Sequence, residues 1–339
     1  MVPGMRFWRS SLLVMCLGFG VTVGAASQAS QGQTQGHAQA MQLLERVQQA
    51  AKTLNYEGTF AHQRDGQMNA FRVVHRFRDG QEQERLEVLN SQPREYLRVN
   101  DRVQCVMPDR ELIIVENQKH ERFPALLMDA DGDLGQYYRV HLQPKPSRVA
   151  GRACQPISIV PKDLHRMRYE LCVDMQSGLL LEAQSRAANG DILEHIAFLD
   201  VKVGGDITDA QLRSVWPIAD WPVIERDSQH MDLQASGWFF REPPGYRVLA
   251  AFERQFGPQR QVKQVILTDG LATISIFIEP YRSDLSHHQM AGAKSSGAVN
   301  LFGRHYGDHW VVVAGEAPAQ TVRNLAQSIV KTGVLHNKQ

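Results

Sequence analysis

Three aspartates with the spacing of a metal-binding loop are the first candidates for chemistry in this sequence. Asp129, Asp131 and Asp133 alternate as carboxylates do at the start of a calcium loop. Gly132 falls before the third aspartate rather than after it, and no glutamate stands where such a loop closes. A polar turn is therefore the better interpretation of this segment.

Histidines form a second candidate site. His305 and His309 flank a predicted hairpin turn, and His287 and His288 are neighbours in a predicted loop. A zinc site needs at least three protein ligands, and neither arrangement supplies a third. We therefore predict solvated histidines, no metal ion and no other cofactor.

A basic patch is a third candidate site, formed by Arg72, His75, Arg76 and Arg78. Guanidinium groups bind phosphates well, so the patch could contact lipid headgroups. A solvated face of a β-sheet is the simpler interpretation, and we prefer it.

Sequence motifs of catalysis and nucleotide binding are absent. The chain contains no phosphate-binding glycine loop, Gly-x-Ser-x-Gly elbow, Cys-x-x-Cys pair or His-Glu-x-x-His helix. We predict no catalytic residues and a binding or regulatory protein rather than an enzyme.

The amino-terminal residues indicate export. Arg6 and Arg9 precede an apolar run from Ser11 to Val23, and small residues at Ala25 and Ala26 suit cleavage. The run is shorter than the roughly 20 apolar residues that span a bilayer. Residues 1–26 are therefore predicted to be a cleaved signal peptide, which places the mature protein in the periplasm, an oxidising compartment.

Length and charge limit the remaining function classes. The chain has 339 residues, which suits two domains. Its formal charge is +1, and removal of the two signal-peptide arginines leaves a mature chain close to neutral. No polybasic run is present, so nucleic acid is not a predicted partner.

A disulfide is predicted in the oxidising compartment. Cys154 and Cys172 lie at equal distances from Asp163, the centre of a predicted hairpin, and directly opposed Cβ atoms are close enough to bridge. Two small buried residues without a bridge are the alternative. Cys105 is left as a free thiol.

The large first domain is predicted to span residues 38–204. Residues 148–203 read as a four-strand antiparallel meander, because Asn189-Gly190 and Ser177-Gly178 supply tight turns. An amphipathic helix from about Ala38 to Leu54 and further strands up to residue 116 precede it. So many antiparallel strands must curl. We predict a half-open antiparallel β-barrel with helices, which has an apolar mouth.

A linker at residues 205–237 and a second domain at 238–334 complete the prediction. The second domain combines two hairpins with one helix that begins after Pro318. It is a small antiparallel sheet with one helix, so the fold class of the whole chain is α+β.

Short stretches in both domains carry a resemblance to a known family. The stretches are Asn55–Phe60, Arg148–Arg152, Arg168–Leu171 followed by Val173-Asp174, Gly178–Leu181, Pro243–Tyr246 and Thr268–Ala272. They resemble the RseB/MucB family of periplasmic regulators of the envelope-stress sigma factor, and the resemblance extends from about Leu43 to Val330. The large domain of that family is similar to the lipoprotein carrier LolA.

The resemblance implies a function. The protein would bind the periplasmic domain of a single-span anti-sigma factor of the RseA/MucA type and shield it from proteolysis. Lipid or lipopolysaccharide signals would relieve this block. A periplasmic lipid or lipoprotein carrier is the alternative, although a simple carrier does not need the second domain. The sequence leaves a homodimer open.

Apolar residues supply candidates for both ligands. An apolar half-barrel suits acyl chains, and aromatic residues dominate binding hot spots. We expect the tail to bind at the domain junction, although the aromatics could instead only join the domains. The lipid-binding candidates are Phe60, Phe71, Leu89, Leu97, Leu126, Leu127 and Tyr137, whose alternative role is core packing. The partner-binding candidates are Trp238, Phe239, Phe240, Tyr246, Phe252 and Phe256.

Overall fold

The computed structural model describes residues 24–117, 123, 134–226, 228–255, 260–282 and 291–332. Most of the predicted signal peptide lies outside these ranges. Several candidate residues lie outside them as well: Leu126, Leu127, Asp129, Asp131, Asp133, Phe256, His287 and His288.

A long helix, α1 (Gly24–Thr53), opens the described chain. It begins well before the predicted start at Ala38, since the preceding residues contain no proline and several alanines and glutamines, which favour helix. One face is apolar and buried, with Ala40, Leu44 and Val47 at most 1% exposed. The helix therefore packs through this face, as its 3.6-residue periodicity predicts.

Within the described residues, thirteen strands form the large sheet. In spatial order they run β13-β6-β5-β4-β3-β2-β1-β12-β11-β10-β9-β7, and β8 also pairs with β9. The strands are β1 (Tyr56–Arg64), β2 (Gln67–Arg78), β3 (Gln81–Val88), β4 (Glu95–Val99), β5 (Arg102–Met107), β6 (Leu112–Asn117), β7 (Tyr138–Leu142), β8 (Ser147–Val149), β9 (Arg152–Pro161), β10 (Arg168–Asp174), β11 (Leu180–Arg186), β12 (Ile192–Val203) and β13 (Val223–Arg226).

The large sheet is not closed into a barrel, because its terminal strands β13 and β7 do not pair with each other. The predicted half-open antiparallel architecture is confirmed, with one exception at the edge. There β13 pairs with β6 in parallel. The linker that carries β13 therefore adds a strand to the sheet rather than running free.

Gly58 allows strands β1 and β12 to approach each other closely in the large sheet. It lies on β1 opposite Val201 of β12. A Cβ atom at this position would stand 2.3 Å from the carbonyl oxygen of Asp200, well inside van der Waals contact. Only glycine fits so close an approach of two backbones.

The disulfide between Cys154 and Cys172 is present, with Cα atoms 5.4 Å apart. The predicted register is wrong by two residues, because Cys172 pairs with Pro156 and Cys154 pairs with Asp174. The bridge therefore joins diagonal neighbours. A shift of two residues keeps both side chains on one face of the sheet. Cys105 is a free, half-buried thiol.

The basic patch predicted to be solvated is half buried. Arg72 and Arg78 are exposed, but His75 is 0% and Arg76 6% exposed. His75 stacks on Tyr56 with ring centroids 4.6 Å apart. The linker covers Arg76, whose Nη1 donates a hydrogen bond of 2.9 Å to the Ile207 carbonyl. The prediction failed because strand periodicity does not show which later segment covers a sheet face.

A short helix, α2 (Leu134–Tyr137), precedes β7, and the linker contains another, α3 (Asp209–Leu212). Polar contacts attach the linker to the large sheet. Arg76 pairs with Asp209 at 2.7 Å. The Ser214 hydroxyl donates to the buried Glu95 carboxylate at 2.5 Å, and Glu95 pairs with Arg85 at 3.4 Å. These buried charges are compensated by partners, so the linker is part of the folded structure.

Seven strands form the second sheet, in the order β14-β16-β17-β18-β21-β20-β19, and a two-stranded ribbon joins β15 to β22. The predicted small antiparallel sheet with one principal helix is confirmed, and the domain bounds 38–204, 205–237 and 238–334 stay a prediction. The elements are β14 (Ser228–His230), β15 (Trp238–Phe239), β16 (Arg247–Gln255), β17 (Gln261–Thr268), β18 (Thr273–Pro280), β19 (Gly292–Ser296), β20 (Val299–Tyr306), β21 (His309–Gly315), α4 (Ala319–Ser328) and β22 (Val330–Lys331).

Loss of the disulfide should destabilise the large sheet. Replacing Cys154 by Ser is expected to lower the free energy of unfolding by about 2–4 kcal/mol, because the bridge restricts the unfolded chain. Urea titration with and without reductant measures this. Cys105→Ser is the matched control and should change little. Equal stability of the wild type with and without reductant would contradict the prediction.

Candidate functional site

A buried arginine joins the two sheets. The Arg166 side chain is 0% exposed and lies in the loop between β9 and β10. Its Nε is 2.9 Å from the Asp269 carboxylate, which belongs to the turn after β17. Its guanidinium also pairs with Asp163 and donates to the carbonyl of Pro244. One cation therefore contacts three separate segments of the chain.

Aromatic rings enclose the guanidinium of Arg166. Its Cζ lies 4.4 Å from the ring centroid of Tyr137 and 5.2 Å from that of Tyr246, distances at which cation–π attraction is favourable. Gly245 makes this enclosure possible. It has φ +74°, and a Cβ there would lie 2.5 Å from the Tyr137 ring.

Asp269 supplies the matching anion, with a side chain that is 0% exposed. Its Oδ1 accepts the backbone N–H groups of Leu271 at 3.0 Å and Ala272 at 2.9 Å. Its Oδ2 accepts the Tyr138 hydroxyl at 2.8 Å. Burial raises the pKa of Tyr138 well above its usual value, and the Tyr169 and Asp269 charges add to the rise. The buried carboxylate is thus fully compensated.

A second contact between the sheets involves two hairpin tips. Asp65, in the turn between β1 and β2, accepts the Ser296 hydroxyl at 2.6 Å and the Gly297 N–H at 2.8 Å. These two hydrogen bonds lower the pKa of Asp65. Gly297 has φ +56°, and a Cβ there would collide with the Arg64 side chain. Both hairpins are therefore shaped for this contact.

Glu316 lies among charged groups at the junction, the region where the two sheets contact each other. Burial raises the pKa of this carboxyl to about 7, and repulsion from Glu194 adds to the rise. Glu194 is 3.4 Å from His62 and 3.8 Å from Arg64, which moderate the effect. Asp269 also faces the group and raises its pKa. The junction therefore contains a carboxyl that titrates near neutral pH.

A groove of about 750 Å³ opens beside Arg166. It combines exposed apolar surface with polar groups, as peptide-binding grooves do. Phe239, 46% exposed, pairs across the two-stranded ribbon with Val330, 39% exposed. The lining residues are His165 from the loop after β9, Phe239, Phe240, Arg241, Glu242, Pro243, Pro244, Val330, and Thr321, Asn324, Leu325, Gln327 and Ser328 on or beside α4.

The structure separates the partner-binding candidates. Phe239 and Phe240 line the groove, and Phe240 also packs against the hydrophobic core between the second sheet and α4 (the second core). Trp238 is 2% exposed and belongs to that core. Tyr246 is 4% exposed beneath Arg166. Phe252 is half buried on β16, and Phe256 lies outside the described residues.

The structure also scatters the lipid-binding candidates. Phe60 and Phe71 stack with centroids 5.1 Å apart, in an aromatic cluster with Phe123 and Phe198. Leu97 is half buried and Leu89 is 38% exposed. Tyr137 lies at the junction beneath Arg166. Phe60 belongs to the core of the large domain, and Phe71 and Tyr137 pack against that core; the lipid assignments stay predictions.

Sequence reasoning missed the central residues of the junction, Arg166, Asp269 and Tyr138. The Asp269-Gly270 pair indicated only a hairpin turn. Nothing in the local pattern distinguished Arg166 from a solvated loop residue. The one available signal was that Pro243–Tyr246 and Thr268–Ala272 are among the stretches that carry the resemblance described above. Both stretches contact Arg166 or its partner.

Two features are absent from the described ranges. Within these ranges no helix has the length and apolarity to cross a membrane. In the same part of the chain, no group of three or more His, Cys, Asp or Glu residues is arranged to hold a metal ion.

Comparison with known families gives two matches. Residues 39–216 match the MucB/RseB N-terminal domain, and residues 232–330 match the MucB/RseB C-terminal domain. Together the two models cover most of the chain, and the junction residues Arg166 and Asp269 fall in different domains.

Individual proteins similar to the chain agree with these matches. The sigma factor AlgU regulatory protein MucB of Pseudomonas aeruginosa is 29% identical over 301 residues, 86% of this chain and 91% of that protein. The sigma-E factor regulatory protein RseB of Haemophilus influenzae is 24% identical over 299 residues, 86% of this chain and 90% of that protein. A crystal structure of MucB in complex with MucA(peri) superimposes with a TM-score of 0.66 at 26% identity, over 86% of this chain and 98% of that one.

Removing Arg166 should destabilise the junction. Arg166→Met leaves the buried Asp269 carboxylate without its cation and is expected to cost about 3–5 kcal/mol of unfolding free energy. The double variant Arg166→Met, Asp269→Asn should recover part of the loss, since it removes the unpaired charge. Scanning calorimetry compares the three proteins. A single variant as stable as the wild type would show that the ion pair does not hold the junction.

Stability should depend on pH through Glu316. The pKa of Glu316 in the folded protein is about 7, above that of an unfolded glutamate, near 4.3. The contribution of the protonated Glu316 carboxyl to folding stability is therefore fully present below pH 4.3 and is lost as pH rises to about 7. Glu316→Gln should therefore gain roughly 1–3 kcal/mol relative to the wild type between about pH 5 and pH 8.

Urea-unfolding midpoints of Glu316→Gln and of the wild type at about pH 5 and about pH 8 measure this difference in stability. Glu45→Gln, on the exposed side of α1, is the matched control and should show no such gain. A constant difference between Glu316→Gln and the wild type across the range would contradict the prediction.

Proposed function

The chain belongs to the MucB/RseB family, and from this premise we propose that it is a negative regulator of an envelope-stress sigma factor. It acts by binding the periplasmic part of a single-span anti-sigma factor. The names of its relatives support this role, since they are sigma factor regulatory proteins, and a MucB was crystallised in complex with MucA(peri). The relatives are regulatory proteins, so we propose no enzymatic activity.

We propose the groove beside Arg166 as the binding site for the anti-sigma tail. A tail that is disordered before binding needs apolar anchor pockets and hydrogen-bonding groups on its receptor. The exposed pair of Phe239 and Val330 offers the anchor, and the exposed Asn324 and Gln327 of α4 offer polar groups. The exposed phenylalanine over a groove lined by both domains is the observation that carries this proposal.

Shielding follows from the position of the groove. A segment held in the groove, which is lined by His165 of one domain and α4 of the other, is less accessible to a protease than a free chain. A cleavage enzyme requires an extended, accessible substrate, so binding alone would delay the first cut. We propose this steric protection as the way the sigma factor is kept inactive.

Relief by a lipid or lipopolysaccharide-type signal completes the proposed mechanism. A ligand shifts an equilibrium between two states only if it binds one of them better. An acyl chain that enters near Phe60 and Phe71 would have to rearrange their packed cluster. Such a rearrangement could favour a state with weaker tail binding.

Export to the periplasm is part of the same proposal. The basic and apolar segments of residues 1–26 have the order of a cleaved signal peptide. The disulfide between Cys154 and Cys172 suits an oxidising compartment. The tail of a membrane anti-sigma factor would then lie in the same compartment as its regulator.

A periplasmic lipid or lipoprotein carrier is the second candidate function. The open large sheet supports it, because an unclosed barrel offers a concave apolar face. The second domain and the buried ion pair that joins it to the first favour the regulator, since a carrier needs neither.

Truncating Phe239 should weaken tail binding. Phe239→Ala is expected to lower the affinity for the cognate periplasmic tail about tenfold or more, because exposed aromatic anchors supply much of the binding energy. Its melting temperature should stay near that of the wild type, since the side chain is 46% exposed. Calorimetric titration and thermal melting measure the two quantities.

Two further variants sharpen this experiment. Phe77→Ala removes a phenylalanine that is 36% exposed on the large sheet and should bind the tail normally. Phe240→Ala should lose both binding and stability, because Phe240 packs on the second core. If Phe239→Ala and Phe240→Ala both bind as the wild type does, the tail binds elsewhere.

A further inference from the structure

A row of polar side chains crosses four strands of the large sheet where it meets the second domain. Tyr169 of β10 pairs with Ser185 of β11. Ser185 pairs in turn with Glu194 of β12, and Glu194 pairs with Arg64 of β1. Cross-strand partners lie on one face of a sheet. Arg64 and Phe60 are four residues apart on β1, so these four side chains, which we call the polar row, share a face with the aromatic cluster.

Two hydroxyl groups of the polar row are buried and have no hydrogen-bond partner in the described part of the protein. Tyr169 and Ser185 are each 8% exposed, and the unpartnered atoms are Oη of Tyr169 and Oγ of Ser185. His62, two residues from Arg64 on β1, adds an imidazole whose Nε2 is 3.4 Å from the Glu194 carboxylate. Folded proteins pair nearly all buried polar groups. Both hydroxyls are therefore available to a polar group that faces the row from the second domain.

Glu316 of the second domain supplies that group, directly after β21. Burial raises the pKa of Glu316 most, and repulsion from Glu194 is the next cause. Burial likewise raises the pKa of Tyr169 most, and the charge of Glu316 is the next cause. The charged and titratable groups around Glu316 are Glu194, His62 and Arg64 on β12 and β1, Tyr169 on β10, and Asp269 and Tyr246 of the second domain.

The contact between the hairpin tips brings the two domains close at this row. A Cβ atom at Gly297 would stand 2.7 Å from Oε1 of Glu194, so the second domain lies directly on the polar row. Two carboxylates that face each other across such an interface repel when both are charged. Protonation of one of them removes the repulsion and creates an O–H donor.

We propose that docking of the two domains is coupled to the uptake of one proton by Glu316 at the polar row, so that a rise in pH loosens the junction. The protonated carboxyl no longer repels Glu194, and it can exchange hydrogen bonds with the hydroxyls of Tyr169 and Ser185. The ion pair between Arg166 and Asp269 holds the domains together, and the polar row adjusts how firmly they are held.

The direction of the coupling follows from the surroundings of Glu316. In the docked protein its pKa is about 7. Separation of the domains removes the repulsion from Glu194 and returns the carboxyl toward water, where the pKa of a glutamate is near 4.3. A group with the higher pKa in the docked state takes up a proton on docking. Its contribution to docking is therefore complete below about pH 4.3 and is lost as pH rises through about 7.

A looser junction changes the groove beside Arg166, because His165 and α4 line it from different domains. Weaker tail binding at higher pH follows only if the tail binds in that groove, so this consequence rests on the proposed function. The coupling of docking to protonation does not rest on it, and the two are measured separately.

Hydrogen exchange of the mature protein measures docking without any ligand. The amides of Leu271 and Gly297 report the junction, since Leu271 packs against the core of the large domain and Gly297 donates to Asp65 across the interface. Their protection factors should fall about tenfold from pH 6 to pH 8 in the wild type, because separation of the domains releases the proton. In Glu316→Gln the fall should be less than about twofold. In Glu45→Gln, the exposed control, it should equal that of the wild type.

The amide of Ile276, 0% exposed on β18 within the second sheet, reports unfolding of that sheet and should be more strongly protected than the junction amides. Equal protection of Ile276 and the junction amides would overturn the proposal, because the domains would then not separate before they unfold. Junction protection that stays constant between pH 6 and pH 8, or that falls equally in Glu316→Gln, would overturn it as well.

Calorimetric titration with the cognate tail at the same two pH values separates the coupling from the groove. If both proposals hold, the affinity of the wild type should fall from pH 6 to pH 8 and that of Glu316→Gln should change less than about twofold. A pH response of the junction amides without a change in tail affinity would support the coupling and contradict the groove as the tail site.

Discussion

A buried ion pair between Arg166 and Asp269 sets the relation between the two sheets of this protein. Both side chains are 0% exposed, and burial of charge is costly unless each group finds complete partners. Arg166 finds a second carboxylate, a carbonyl and aromatic rings. Asp269 finds two backbone amides and a tyrosine hydroxyl. Several of these partners come from the opposite domain, so the contacts form only when the two domains are docked, and a buried ion pair of this kind can contribute specificity.

The groove depends on this arrangement, because His165 is the neighbour of Arg166 in the chain. The Nδ1 atom of His165 lies 3.3 Å from Oγ1 of Thr321 on α4, and the Tyr246 hydroxyl donates to the carbonyl of His165 at 3.4 Å. A change in domain orientation would move one wall of the groove relative to the other. A signal that acts on either domain could in this way alter a binding site formed by both.

Local chemistry made much of the fold predictable from the sequence. The meander from 148 to 203 follows from its Asn-Gly and Ser-Gly turns, and the disulfide follows from two cysteines on one hairpin. The exact pairing of Cys154 did not follow, because the loop from residue 162 to residue 167 carries no signal for its centre. The start of α1 was also missed, since the flexible composition before Ala38 outweighed its helical propensity.

The candidate site was less predictable, for a physical reason. Phe239 was recognisable because adjacent aromatics on an extended chain cannot both be buried on one face. Arg166 and Asp269 are 103 residues apart, and their contact exists only once both domains are folded. Tyr137 packs against the core of the large domain, and its additional contact with Arg166 at the junction was missed for the same lack of long-range information.

Hydrogen exchange of the mature protein with and without the anti-sigma tail tests the central claim most directly. If the tail binds between the domains, amide exchange should slow at residues 239–242, in the second half of α4 and at His165. Tail binding that leaves these amides unchanged while protecting another surface would contradict the claim that the junction positioned by Arg166 and Asp269 is the regulatory site.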